Sequence, residues 1–134
     1  MTIFVDSSAL LKRYLDEDDS DRFVELLDAD PQWVLARHAR IEIRRALSAR
    51  LSPEELADAR ERFNSDWERS TIAELDEATC ELAGDLAETT RARTLDALHL
   101  AVAQRLGGGA LPFVTADLRQ AQIARSLGWV VLGS

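Results

Sequence analysis

Four carboxylates, Asp6, Glu42, Asp96 and Asp117, are the residues of this chain whose type and placement could do chemistry. Asp6 closes the apolar run Ile3-Phe4-Val5 ahead of a helical pattern, and Asp117 follows Phe113-Val114-Thr115 in the same way. Glu42 and Asp96 fall inside the apolar stripes of two helical patterns. Two carboxylates about 4 Å apart repel by roughly 4 kcal/mol at an effective dielectric of 20. Acids converging on one pocket therefore shift one another's protonation or take up a cation. An oxygen-rich site suits Mg²⁺ or Mn²⁺. Such an ion acidifies an attacking water and stabilises charge on phosphate oxygens, which is chemistry that cuts a phosphodiester.

Each acid also has a structural reading. Asp between strand and helix is a routine N-cap, which fits Asp6 and Asp117 as well as catalysis does. Glu42 shares a helix face with Ala39, Ile43 and Ala46, and an ion pair with Arg45 is its structural alternative. Asp96 stands out most, because Leu95–Ala103 is apolar nearly all round, with Asp96 and His99 as its only polar side chains. A buried, unpaired carboxylate is costly, so Asp96 is expected to be paired with Arg93, protonated or metal-bound. His99 is expected to be a hydrogen-bonded histidine lining the core.

These acids must be positioned by an alternation of short strands and longer helices, which predicts an α/β fold with a mainly parallel sheet. Strands are expected at Thr2–Val5, Trp33–Leu35, Thr71–Glu74, Pro112–Thr115 and Trp129–Leu132. Helices are expected at Ser7–Leu15, Ser20–Leu27, His38–Ala49, Pro53–Glu68, Asp76–Thr90, Thr94–Leu106 and Leu118–Leu127. Ser52-Pro53-Glu54-Glu55 has the capping Ser, first-turn Pro and acids of a helix start. Ligands of open parallel sheets gather beyond the carboxyl ends of the strands, the edge on which Asp6 and Asp117 would lie.

With 134 residues, no repeat and no long linker, residues 1–134 are expected to form a single domain. No apolar run is long enough to span a bilayer, and the N-terminus lacks the pattern of a signal peptide, so a cytoplasmic, non-membrane protein is expected. The single cysteine, Cys80, rules out a thiolate cage and is expected to be a small buried helix residue. A net charge of −8 argues against a surface that is basic throughout, but leaves room for a local basic groove. Arg37, Arg40, Arg44, Arg45 and Arg50 cluster in one segment, and Arg91 and Arg93 in another.

Val5-Asp-Ser-Ser-Ala-Leu-Leu-Lys-Arg-Tyr14, Ile41-Glu-Ile-Arg-Arg-Ala-Leu47, Leu95-Asp-Ala-Leu-His-Leu-Ala101 and Val114-Thr-Ala-Asp-Leu-Arg-Gln-Ala-Gln-Ile-Ala124 resemble the successive motifs of PIN-domain proteins. Within that family the likeness is to VapC-type ribonuclease toxins of type II toxin–antitoxin systems, from Thr2 to Leu132. The resemblance implies a three-layer α/β/α sandwich around a five-stranded, mainly parallel sheet. It also implies a metal-dependent endoribonuclease that cuts single-stranded RNA, a homodimer, and an inhibitory VapB-type antitoxin. By position, Asp6, Glu42, Asp96 and Asp117 would be its acidic quartet, binding Mg²⁺ or Mn²⁺. Thr115 fits a Thr-x-Asp signature, and Ser7 or Ser8 would support a carboxylate or a metal-bound water.

Relatives often cap the Glu helix with Ser or Thr, whereas this chain has Ala36-Arg37-His38-Ala39 there. Arg37, Arg44, Arg45 and Arg93 are candidates for holding phosphates. Leu56, Phe63 and Trp67 recur at near-helical spacing and fit either a dimer interface or the core. Two rival readings share the acidic, Mg²⁺-binding pocket: a phosphorylated signalling domain, and a non-catalytic scaffold. The first wants a lysine at a late strand end, and the only lysine is Lys12.

Overall fold

The computed structural model describes residues 1–134. Five strands form the sheet: β1 (Thr2–Val5), β2 (Gln32–Ala36), β3 (Thr71–Ala73), β4 (Phe113–Val114) and β5 (Val131–Leu132). Seven helices join them: α1 (Ser7–Leu11), α2 (Ser20–Asp28), α3 (Ala39–Arg50), α4 (Pro53–Arg69), α5 (Glu77–Thr90), α6 (Thr94–Arg105) and α7 (Leu118–Ser126). The strand order is β3-β2-β1-β4-β5. Every pairing is parallel, with Phe4 aligned on Val34 on one side and on Phe113 on the other.

Alternation along the strands divides the interior in two. Ile3, Val5 and Leu35 pack with Leu10, Phe23, Ile43 and Phe63 from α1–α4. Phe4, Val34 and Phe113 pack with Leu86, Leu100 and Ala124 from α5–α7. The sheet is thus sandwiched between two helical layers. The chain winds from β1 towards β3 through one layer and reaches β4 and β5 through the other. The direction of winding reverses between β1 and β4, and a crevice opens there at the carboxyl ends of the strands.

Several expected boundaries move. The first helix stops at Leu11, not Leu15, and β4 and β5 are each two residues long. At the ends of such short strands, sequence pattern separates paired from merely extended backbone poorly. The expected start of α4 is observed as a complete capping box between Ser52 and Glu55. Leu56, Phe63 and Trp67 turn towards the chain's own core, so they are not a free dimer face. Cys80 is exposed, contrary to expectation: α5 buries Thr79 and Ala83 and turns Cys80 to solvent.

Beneath α4 lies a polar network that sequence pattern did not single out. Asp66 is only 5% exposed. It accepts hydrogen bonds from Arg13 Nε at 2.8 Å, from the Tyr14 hydroxyl at 2.7 Å and from Arg69. The guanidinium groups of Arg13 and Arg69 lie over the Trp33 ring, 5.1 and 5.4 Å from its centre. Arg13 also pairs with Asp28, and Lys12 with Glu17 and Asp19. Those two cations hold the fold.

Candidate active site

The crevice beside β1 holds a cavity of about 400 Å³ lined by Asp6, Ser7, Ser8, Glu42, Asp96 and His99, with Leu11, Ile43, Ala46 and Leu95 as its apolar wall and Arg45 at its rim. Asp6 arrives from the end of β1, Glu42 from the first turn of α3 and Asp96 from the first turn of α6. Asp117, at the start of α7, does not line the cavity, but its charge reaches Asp96.

Capping and site duty are compatible, because a carboxylate has two oxygens. Asp6 caps α1 with Oδ1, which accepts from the Ala9 amide at 3.2 Å and the Ser8 hydroxyl at 2.7 Å. Asp117 caps α7 with Oδ1, which accepts from the Gln120 amide at 3.1 Å. Gln120 in turn donates to the Asp96 carbonyl at 3.0 Å, tying α7 to α6. The buried Thr115 hydroxyl lies 3.1 Å from that of Ser8 and accepts from the Asp117 amide at 3.1 Å. Ser8 also accepts from the Ala116 amide at 2.9 Å. One small hydroxyl network therefore fixes both strand-end acids.

Asp6, not Asp96, is the most buried of the four, at 3% exposure. Asp96 is half-buried, because α6 enters the crevice at its first turn and goes under only from Ala97 onward. Burial pushes the carboxyl of Asp6 above the usual carboxylate range, against the lowering influence of His99, Thr115, Ser8 and Ala9. Asp96 is also raised, first by burial, then by the charge of Asp6, with further repulsion from Asp117 and Glu42. Asp96 thus feels the charge of each of the other three acids.

Neither of the ion pairs weighed as a structural alternative forms. Glu42 pairs with histidines rather than Arg45, and Asp96 has no partner in Arg93. Asp6, Asp96 and Asp117 each lack a lysine or arginine within ion-pair distance. A set of facing oxygens without a counter-cation fits a hard divalent ion. The acids do not close into one tight ligand group; the donor atoms that do, all within 4.8 Å, belong to His38, Glu42 and His99. This spacing fits an ion that keeps several waters, as Mg²⁺ does.

His38 and His99 are the residues that sequence reasoning underused. Their rings lie against each other with centres 4.0 Å apart, tilted by 40°, and both are buried. His99 Nε2 donates to Glu42 Oε1 at 2.7 Å, and His38 Nε2 donates to the Leu95 carbonyl at 3.0 Å. Burial, reinforced by repulsion from His99, pushes the His38 imidazole down to about 4, so it is neutral near pH 7. Burial would raise Glu42, but the bonds from His99 and Ser7 outweigh it and hold the carboxyl below its ordinary value. His38 begins α3 without a side-chain cap, the start that the unusual Ala36–Ala39 stretch had put in doubt.

The arginine candidates separate. Arg45 lines the acidic cavity, and Arg44 and Arg60 line the adjoining hollow with it. Arg37 is paired with Glu74, and Arg93 caps α6 through its backbone alone.

The PIN domain family model matches residues 3–126. The chain belongs to the PIN-domain family. Among curated relatives of this PIN domain, Ribonuclease VapC46 of Mycobacterium tuberculosis is 35% identical over 130 residues, covering 97% of this chain and 95% of its own. The fold is shared with M. tuberculosis VapC20, described as a sarcin-ricin loop cleaving toxin, at a TM-score of 0.74, 18% identity and 96% coverage of each chain. It is also shared with the DNA-bound VapBC of Salmonella typhimurium, at a TM-score of 0.67, 20% identity and 98% and 97% coverage of this chain and that one.

Proposed function

We propose that this PIN domain is a VapC-type toxin: a metal-dependent endoribonuclease that cuts single-stranded RNA and is neutralised by a cognate VapB-type antitoxin. The observation that carries this reading is the group of acids, repelling at Asp96 and without a lysine or arginine partner, at the point where the sheet reverses its winding. Asp6, Asp96 and Asp117 would hold Mg²⁺ or Mn²⁺, directly or through water, with Glu42 completing the metal-holding set through an ion-bound water. When bound, the ion would supply a lowered pKa for water and offset charge on the phosphate. Glu42 is held as a carboxylate and has an oxygen to accept a proton from the attacking water. The water oxygen would form the new P–O bond as its proton passes to Glu42, the scissile P–O bond would break, and the leaving oxygen would take a proton from solvent. Ser8 and Thr115 keep Asp6 and Asp117 in place throughout.

The chain would work in the cytoplasm as one domain and as a homodimer; no helix is long and apolar enough to cross a membrane. Ile41 and Leu95 stand 70% and 48% exposed near the site, which suits coverage by a partner segment. Structural relatives described as VapBC complexes support an antitoxin as that partner.

The test incubates purified, antitoxin-free chain with total RNA in Mg²⁺, Mn²⁺ or EDTA, beside Asp96→Asn. Cleavage that needs metal and is lost in the variant supports the assignment. Folded protein that is inert in every metal condition refutes it.

Arg44, Arg45 and Arg60 make no ion pair, and they supply a phosphate-binding rim in an otherwise acidic chain. Arg45→Ala is expected to raise KM about tenfold, the loss of one charge-assisted hydrogen bond of ~1.5 kcal/mol, with kcat nearly unchanged. Titrating RNA binding against salt should show a shallower slope in the variant. An unchanged KM and slope would remove Arg45 from the RNA path.

A further inference from the structure

Two donors converge on a single oxygen of Glu42, with a third ring nitrogen close by. Ser7 Oγ donates to Oε1 at 2.7 Å, and His99 Nε2 reaches the same oxygen at 2.7 Å. His38 Nε2 lies 3.6 Å from it. Ser7 Oγ and His99 Nε2 are themselves 3.1 Å apart, so the three groups close a triangle. His99 is 1% exposed and cannot move aside: it lies against His38 and meets the edge of the Phe4 ring at 6.1 Å. His38 is tethered to the Leu95 carbonyl one residue before Asp96. Glu42 keeps 24% of its side chain exposed, and its hydrogen bonds fall on Oε1.

The same three side chains could be read as a two-histidine, one-carboxylate metal site, since their donor atoms lie within 4.8 Å of one another. The surroundings argue against it. A metal-bound histidine almost always donates its other ring nitrogen to an oxygen. Here both Nδ1 atoms are buried without a partner, while both Nε2 atoms are engaged within the protein. The cluster is built to orient a carboxylate.

We infer that His99 is a positioning residue for Glu42: with Ser7, and braced by His38, it takes up Oε1 so that Glu42 presents only Oε2 to the cavity. This rests on the reading of Glu42 as part of the metal-holding acids. It makes Glu42 a one-oxygen participant rather than a chelating one. It also links α6 to α3 across the crevice, so Asp96 and Glu42 are set relative to each other by a bond between their own helices.

The test uses metal-free protein titrated with Mn²⁺, following free Mn²⁺ by electron paramagnetic resonance, with RNA cleavage measured in parallel. His99→Leu, which removes the donor, is expected to weaken Mn²⁺ binding 10–100-fold, the usual effect of losing a group that orients a ligand. His99→Gln, whose amide can still donate to Oε1, should recover most of that loss. Ser7→Ala, at a half-buried position, should weaken binding severalfold without endangering the fold. Glu42→Ala should add little in the His99→Leu background, because the two act as one unit.

If wild type binds Mn²⁺ and Glu42→Ala impairs it, but folded His99→Leu binds normally, His99 does not position Glu42 and the acid site stands. The positioning role is equally overturned if the two losses add in full, or if Gln rescues nothing while Ser7→Ala is silent. If wild type neither binds Mn²⁺ nor cleaves RNA, the acid-site reading falls and this inference with it.

Discussion

Asp6→Asn is expected to abolish RNA cleavage and, in metal-free buffer, to raise the melting temperature. The first effect follows from removing a carboxylate from the centre of the acidic site, and a loss on the order of 10³-fold in kcat is expected. The second follows from the position of Asp6: almost fully buried, it faces the charge of Asp96 with no lysine or arginine to pair either, and His99 offsets its burial only in part. Asn keeps the amide-accepting oxygen that caps α1 and removes the buried charge. The gain should be about 1–3 kcal/mol, the usual penalty for a poorly compensated buried polar group, which amounts to several degrees in a chain of this size.

The direction of the shift sets the pH dependence. The Asp6 carboxyl is raised in the folded protein, so the fold binds its proton more tightly than the unfolded chain does. The penalty is therefore absent below the unfolded value of 3.8 and grows as pH rises through the folded one. The advantage of Asn should vanish in acid and be full at neutral pH. Saturating Mg²⁺ should reverse the order, since a ligand at 100 times its Kd adds about 2.7 kcal/mol to the form that binds it. Thermal melts of both proteins with and without Mg²⁺ decide this. Equal melting temperatures in metal-free buffer at neutral pH would show that Asp6 carries no uncompensated charge.

Asp66→Ala should be the most damaging change outside the site. It strands Arg13 and the Tyr14 hydroxyl beneath α4 and frees Arg69. Removing one partner from a buried ion pair costs roughly 3–5 kcal/mol. A chain of ordinary stability would lose a large part of its margin. Burial would raise the Asp66 carboxyl, but the bonds from Arg13, Tyr14 and Arg69 together hold it below 3.8. Its contribution is thus complete above the unfolded value and disappears as pH falls through the lower, folded one. Urea unfolding of wild type and Asp66→Asn should converge in strong acid and differ most at neutral pH. A neutral-pH difference below about 1 kcal/mol, the level of an exposed surface pair, would show that the network is peripheral.

The placement of Asp6, Glu42, Asp96 and Asp117 was legible because strand exits and apolar helix stripes leave strong local signals. Parallel topology followed from the strand–helix alternation for the same reason. The rank of the acids was not legible. An apolar stripe shows which face of α6 goes inward, but not that Asp96 sits on the turn where the helix is still emerging. The partner of Glu42 was hidden too. Arg45 is three residues away along one helix, whereas His99 is on another helix and meets Glu42 only after both have packed on the sheet. Asp66 was missed because an acid in a polar-looking helix resembles a solvated one until Arg13 and Tyr14 fold beneath it. Arg60 escaped notice because it joins Arg44 and Arg45 only through the packing of α4 on α3.

The site draws Asp6 from the central strand, Glu42 from one helical layer and Asp96 from the other, and Asp117 follows the fourth strand. A growing chain emerges N-terminus first. It can complete β1, β2 and the first layer while still missing two of its four acids. Only when α6 docks and β4 enters the sheet beside β1 are all four within range of one another. If these four acids are the cutting site, a nascent chain on the ribosome would be kept from attacking RNA around it until most of its own sequence has been made.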